Sequence, residues 1–113
     1  PPADPMQAQA AVLDGLGMPK AITMRHALPH FAHVFAGDGY ASGYYSYMWS
    51  EVMDADAFEA FRETGDIFDA KTAARLRRDI LSAGNARPAE EAYTAFRGRM
   101  PGVEALLKGR GFN

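Results

Sequence analysis

Apolar residues recur at helical spacing along most of the chain, and the places where that rhythm breaks divide it into segments. Over residues 4–17, Met6, Ala10, Leu13 and Leu16 fall three or four positions apart, Asp4 stands where an N-cap belongs, and Gly17 comes next as a stop, which predicts a short helix. Pro19, Pro29, Gly37, Gly39 and Gly43 interrupt residues 18–43, so long regular helix is not expected there. From Tyr44 no Gly or Pro occurs until Gly65, and this stretch predicts the main helix. Tyr45, Met48, Trp49 and Val52 share one of its faces, and Tyr45, Met48 and Trp49 are read as core. Phe58 and Phe61 fall nearly opposite, so the helix is either covered on two sides or bent near Asp54-Ala55-Asp56; Asp54 and Asp56 read as helix surface or a local cap.

Downstream, Asp69 caps a further helix in which Ala73, Leu76, Ile80 and Leu81 line one face, Arg75, Arg77 and Arg78 ride the solvated side, and Gly84 ends it. Pro88 opens the next, which buries Tyr93 and Phe96 and stops at Gly98; a short last one comes after Pro101 with Val103, Leu106 and Leu107. The expected class is all-α, with about four helices and a Gly-rich His/Tyr loop region before the main one. At 113 residues the chain is expected to form one domain.

Composition narrows the function classes. With 48% hydrophobic and 23% charged residues a packed core is within reach, which argues against wholesale disorder. Twelve basic against fourteen acidic residues give a net charge of −2 and no basic face, so nucleic acid is not an expected partner. No apolar run approaches the roughly 18 residues of a membrane-spanning helix, so no membrane is expected either. The opening Pro1-Pro2-Ala3-Asp4-Pro5 lacks an initiator Met and the layout of a signal peptide, and reads as a cut end inside a longer protein. The absence of cysteine removes disulfides, thiolate metal sites and a Cys nucleophile, and fits a reducing cytoplasm.

The chemistry concentrates between His26 and Trp49, in HALPHFAHVFAGDGYASGYYSYMW. All three histidines lie here, as do Tyr40, Tyr44, Tyr45 and Tyr47. Offsets of four and three among His26, His30 and His33 invite a metal-site reading, since imidazole binds zinc. Pro29 and the nearby glycines break the helix that reading needs, and no carboxylate completes the set. His26 and His30 read instead as hydrogen-bonding anchors of the loop. Aromatics at helical spacing are by default core. A tyrosine hydroxyl is, however, a neutral donor. Carried on a glycine-rich turn, it suits closure over a bound peptide and stabilisation of an oxyanion, where one donor is worth about 10²–10³ in rate. Tyr44 and Tyr47, three apart, would project from adjacent turns of one helical face.

The segment FAHVFAGDGYASGYYSYMWSEV resembles the histidine-plus-tyrosine loop of the thimet oligopeptidase family, the zinc metallopeptidases that include oligopeptidase A and the peptidyl-dipeptidases: a His, a Gly-rich turn ending in Tyr, a small spacer, then Tyr-Tyr-x-Tyr-x-Trp. Asp56-Ala57-Phe58, Phe61, the run Arg77 to Leu81, Gly84-Asn85 and the ending FRGRMPGVEALLKGRG match that family's tail in order, so the resemblance spans nearly the whole chain. It implies that the chain is the C-terminal part of a larger helical catalytic domain. It further implies catalytic roles for His33, which contacts substrate and the tetrahedral intermediate, for Tyr40, which closes the turn, and for Tyr47, which donates to the oxyanion. Tyr44 and the mobile hinge with Gly37, Gly39 and Gly43 would bind substrate. The span from His33 to Tyr40, with Asp38 inside it, is longer than the family pattern.

The resemblance also implies a zinc cofactor held in the parent by an H-E-x-x-H helix, whose Glu is the general base, and by a further glutamate. This sequence contains no H-E-x-x-H, so the chain is expected to bind no metal and to be inactive alone. Short peptides and the remainder of the catalytic domain are the implied partners, and faces bared by their absence would favour self-association. Dipeptide removal and internal cleavage remain alternatives. So do two other classes: a stand-alone helical peptide-binding module without catalysis, and an independent metal-binding domain using the histidines.

Overall fold

The computed structural model describes residues 3–112; Pro1 and Pro2, part of the opening read as a cut end, lie outside them. Among the described residues there are five α-helices, four of them seven residues or longer, and no strand, so the fold is all-α. The chain divides into two compact units, one through Tyr45 and one from Ser46.

The first unit begins with α1 (Pro5–Gly15). Asp4 caps it, its carboxylate accepting from the backbone N–H of Met6 at 2.8 Å and of Gln7 at 3.3 Å. Gly17, at φ +71°, ends it, and the Met18 N–H returns to the Leu13 carbonyl at 3.0 Å. The chain then makes three 3-10 turns, Leu28–His30, Ala32–Val34 and Asp38–Tyr40, in keeping with the punctuation by Pro and Gly. Gln9 ties the first of these to α1 by accepting from the Leu28 N–H at 2.9 Å. None of the described residues of this unit is fully buried.

The second unit holds α2 (Ser46–Arg62), α3 (Ala70–Leu76), α4 (Ala89–Arg97) and α5 (Glu104–Gly109). Its small core consists of Ala60, Ala92, Tyr93, Phe96 and Leu106, and three polar residues, Asp56, Thr72 and Asp79, are buried beside it. Asp69 caps α3 through the Thr72 N–H at 2.7 Å, and Gly98, at φ +85°, closes α4. Tyr93 and Phe96 are buried as the pattern predicts.

Three expectations are corrected. Tyr45, Met48 and Trp49 are not core: they are 71%, 58% and 68% exposed. The inward residues of α2 are Asp56 and Ala60, in its second half; Lys108 of α5 pairs there with Glu59, and Arg110, just after α5, pairs with Glu51 in the first half. At the start of the helix Ser46 to Glu51 are all exposed, polar and apolar alike. Second, the helix capped by Asp69 does not run in one register to Gly84. It passes at Arg77–Leu81 into a π-helical turn, closed by the Ser82 N–H on the Arg77 carbonyl at 2.8 Å. One extra residue per turn rotates the residues beyond it by roughly 100° from the α register. The inward residues are Thr72 and, seven positions on, Asp79, whereas Ala73 and Leu81 of the expected apolar face are exposed, Leu81 by 71%. Arg78 keeps to the solvated side as expected, its side chain 68% exposed, and from there pairs with Asp79 at 2.7 Å; Arg87 reaches the same carboxylate at 3.1 Å.

Third, Asp56 is not surface. Its carboxylate, 2% exposed as a residue, accepts from the Tyr93 hydroxyl at 2.8 Å, Arg97 Nε at 3.1 Å and Arg99 Nη2 at 2.7 Å. Arg97 also grips Glu63 through two bonds of 2.8 and 2.6 Å. Burial pushes the Asp56 pKa up, but the bonds from Tyr93, Arg99 and Arg97 outweigh it and hold the carboxyl below its ordinary value. The same burial and the bond to Asp56 push the Tyr93 hydroxyl up. This network clamps α2 to α4 and to the turn after it.

Candidate functional site

The loop of the first unit gathers aromatic rings that are close together in the sequence. Phe31 is the junction of the first two 3-10 turns, with φ −91° and ψ 76°. Its ring lies 4.8 Å from that of Tyr44, edge to face, and 5.6 Å from that of His33. His26 stacks on it at 4.9 Å with only 11° between the planes. His33 in turn sits 6.0 Å from Tyr40 and 6.3 Å from Tyr44, and the Tyr40 and Tyr44 rings are 5.2 Å apart. His33, Tyr40 and Tyr44, three of the residues singled out in the sequence, therefore form one cluster.

A shallow, open concavity lies on this cluster, lined by Ala32, His33, Ala36, Gly37, Gly39 and Tyr40. Gly37 and Gly39 thus form part of its wall, and a Cβ at either would meet nothing within 4 Å. None of Gly37, Gly39 and Gly43 takes the left-handed conformation, Gly37 being extended at φ 172°; the left-handed residue of the loop is Ser42, at φ +55°. Asp38, which opens the third turn, is the one formally charged side chain between His26 and Ser50. The surface is accordingly a neutral aromatic one, offering hydroxyl and imidazole groups rather than fixed charge.

Tyr47 belongs to the second unit, on the first turn of α2, and is 57% exposed. The helix starts at Ser46, so Tyr44 lies in the preceding turn and the pair do not share a helical face as the spacing suggested. His26 serves the loop through its ring stack on Phe31. Among the described residues no group of three or more His, Cys, Asp or Glu side chains is placed to hold a metal ion, the three histidines included. The described residues of this chain offer no set that fits the implied metal.

The profile of peptidase family M3 matches residues 6–112, which is nearly the whole chain. The chain belongs to peptidase family M3. Relatives in the family include oligopeptidase A of Haemophilus influenzae, 42% identical over 107 residues, which cover 94% of this chain and 14% of that protein. The dipeptidyl carboxypeptidase of Escherichia coli is 36% identical over 110 residues, 97% of this chain and 16% of the relative. A probable cytosolic oligopeptidase A of Arabidopsis thaliana is 49% identical over 84 residues, 72% of this chain and 12% of the relative. The chain thus spans about one-seventh of the length of the M3 peptidases it matches. These relatives are peptide-hydrolysing enzymes, and no helix among the described residues of this chain is long and apolar enough to cross a membrane.

Two features of the M3 loop are not evident in the sequence. Phe31 touches three rings of the cluster, those of His26, His33 and Tyr44, yet its only sequence signal is its place between His30 and His33. Ser42 takes the left-handed conformation beside Gly43, where glycine would be the natural guess.

Proposed function

We propose that this chain is the substrate-facing, transition-state-stabilising part of a zinc-dependent peptidase that hydrolyses short peptides in the cytoplasm. The observation that carries the reading is the clustering of His33, Tyr40 and Tyr44 around one concavity in a chain of the M3 family. His33 and Tyr44 contact the peptide, and Gly37, Gly39 and Gly43 let the loop close on it. Tyr40 and Tyr47 supply neutral hydroxyl donors to a carbonyl oxygen that becomes negative when its carbon is attacked, an interaction that strengthens in the transition state. The metal, its ligands and the general base come from outside the chain, whose sequence contains no H-E-x-x-H.

The full-length protein that contains this chain is expected to cleave short peptides, to lose that activity on treatment with a chelator and to regain it with zinc. The 113-residue chain alone is expected to cleave nothing. Hydrolysis by the isolated chain, or chelator-resistant hydrolysis by the whole protein, would sink the proposal.

The rest of the catalytic domain is the natural cover for the apolar surface of the second unit. Trp49 and Met48 on α2 are exposed, and a groove elsewhere in that unit is lined by Met53, Phe58, Phe61, Leu76, Ile80 and Phe96. Without that cover such surface promotes association, so the chain expressed alone is expected to self-associate. A monodisperse monomer by light scattering would contradict this.

A further inference from the structure

We infer that Phe31 is a positioning residue for His33 and Tyr44, an inference that rests on the reading of the loop as substrate-facing. Its ring centroid is nearer to both of theirs, at 5.6 and 4.8 Å, than theirs are to each other, at 6.3 Å. Tyr40 also neighbours both, at 6.0 and 5.2 Å, but Phe31 is the nearer of the two to each ring. The edge-to-face angle of 78° with Tyr44 is the arrangement that ring quadrupoles favour, so it resists rotation of either ring. His26 lies flat on Phe31, within 11° of parallel, and fixes the plane of the brace itself.

The backbone gives a reason why such a brace is needed. Phe31 ends the turn Leu28–His30 and starts the turn Ala32–Val34, and each turn is three residues long. Short 3-10 turns have poor hydrogen-bond geometry and little rigidity of their own. The bond that starts the second turn, from the Val34 N–H to the Phe31 carbonyl, is long at 3.3 Å. The Phe35 and Ala36 N–H groups hold the far side of the turn on the Ala32 carbonyl, at 3.0 and 2.8 Å, but these bonds fix the backbone only, and the His33 ring is kept in place by side-chain packing. Phe31 has no polar atom on its side chain and takes no part in the chemistry; it acts through the two rings it touches.

In the full-length protein, Phe31→Leu is expected to lower kcat on a short fluorogenic peptide about tenfold, since small misplacements of reacting groups are costly, with KM and the thermal midpoint little changed. Phe31→Tyr, which keeps the ring, is expected to restore kcat. With 3-fluorotyrosine incorporated and the Tyr44 resonance assigned through Tyr44→Phe, the fluorine shift of Tyr44 should move in the Leu variant and return in the Tyr variant. Wild-type kcat in Phe31→Leu, a loss that Phe31→Tyr does not restore, or an unmoved Tyr44 resonance would each overturn the assignment. If the Leu variant loses thermal stability, His26→Ala, which removes only the exposed backing ring, carries the test: kcat should fall about threefold, and a wild-type value overturns the brace. Full activity in Tyr44→Phe and Tyr47→Phe as well would retire the substrate-facing reading itself, which separates the two failures.

Discussion

Tyr47→Phe in the full-length protein is expected to lower kcat by about 10²–10³-fold, the usual effect of deleting one preorganised donor to a developing oxyanion. KM for a short peptide should change little, because a bond that strengthens as charge appears on the carbonyl oxygen contributes to the transition state more than to the bound substrate. The substitution deletes one oxygen and leaves the ring, so packing is preserved and stability should hold. Position supports a large effect. Tyr47 stands on the first turn of a 17-residue helix, not on the Gly-rich loop, and the far half of that helix is clamped by Asp56. On the proposed reading, a donor on a rigid base keeps its aim at little entropic cost, whereas Tyr40, within the loop, would be brought into place by closure. Initial rates over a range of peptide concentrations give kcat and KM separately. Turnover near wild type would mean that the ring only fills space.

How much of this fold is legible in the sequence depends on how local each signal is. Caps and stops are local, and those at Asp4, Asp69, Gly17 and Gly98 fall where the pattern puts them; Gly84 is left-handed, at φ +53°, but the helical run before it already ends at Leu81 with Ser82 as its cap. The His/Tyr loop is legible because a run of Gly, Pro, His and Tyr excludes regular helix and concentrates donors. Periodicity fails where a helix face and its partner are different questions. Tyr45, Met48 and Trp49 are spaced as a core stripe, yet spacing says only that they share a side, and the structure leaves that side exposed. The π turn at Arg77–Leu81 is invisible to a 3.6-residue rhythm, and the inward side of this helix is marked by Thr72 and Asp79, polar residues that an apolar pattern passes over. Phe31 escapes notice in the sequence because an apolar ring among histidines carries no chemistry of its own; its role exists only in the geometry of its neighbours. Asp56 is misplaced by the pattern for a related reason. A carboxylate in a helix is usually surface, and its partners Arg97 and Arg99 are more than forty residues away.

Asp56→Ala is expected to destabilise the second unit by about 3–5 kcal/mol, the range for breaking a buried pair and stranding its partner. Arg97 is the partner at stake: its side chain is 8% exposed, and of its two carboxylates only Glu63, itself half-exposed, would remain. The Tyr93 hydroxyl, in the core, would lose its acceptor at 2.8 Å and be left with the Met53 carbonyl at 3.0 Å. The effect carries a pH signature of known sign. Burial acting alone would raise the Asp56 pKa, but bonds from Tyr93, Arg99 and Arg97 lower it overall, so the folded state binds the proton less readily than the unfolded one. Its contribution is then fully present above the unfolded value near 3.9 and is lost as pH falls through the lower folded value. Asp79 is lowered too, by Arg78, and weakens wild type and variant alike in acid. Glu63, lowered by Arg97, shares that arginine with Asp56 and feels its charge, so the difference between the two proteins reports the Asp56–Arg97–Glu63 network, with Asp56 at its centre. Urea unfolding monitored by circular dichroism should show the full gap at pH 7 and a gap that narrows below about pH 4. A loss under about 1 kcal/mol at pH 7, the scale of a surface ion pair, or a gap that holds constant into acid, would mean that the carboxylate is solvated after all and that α2 is held to α4 by apolar packing alone.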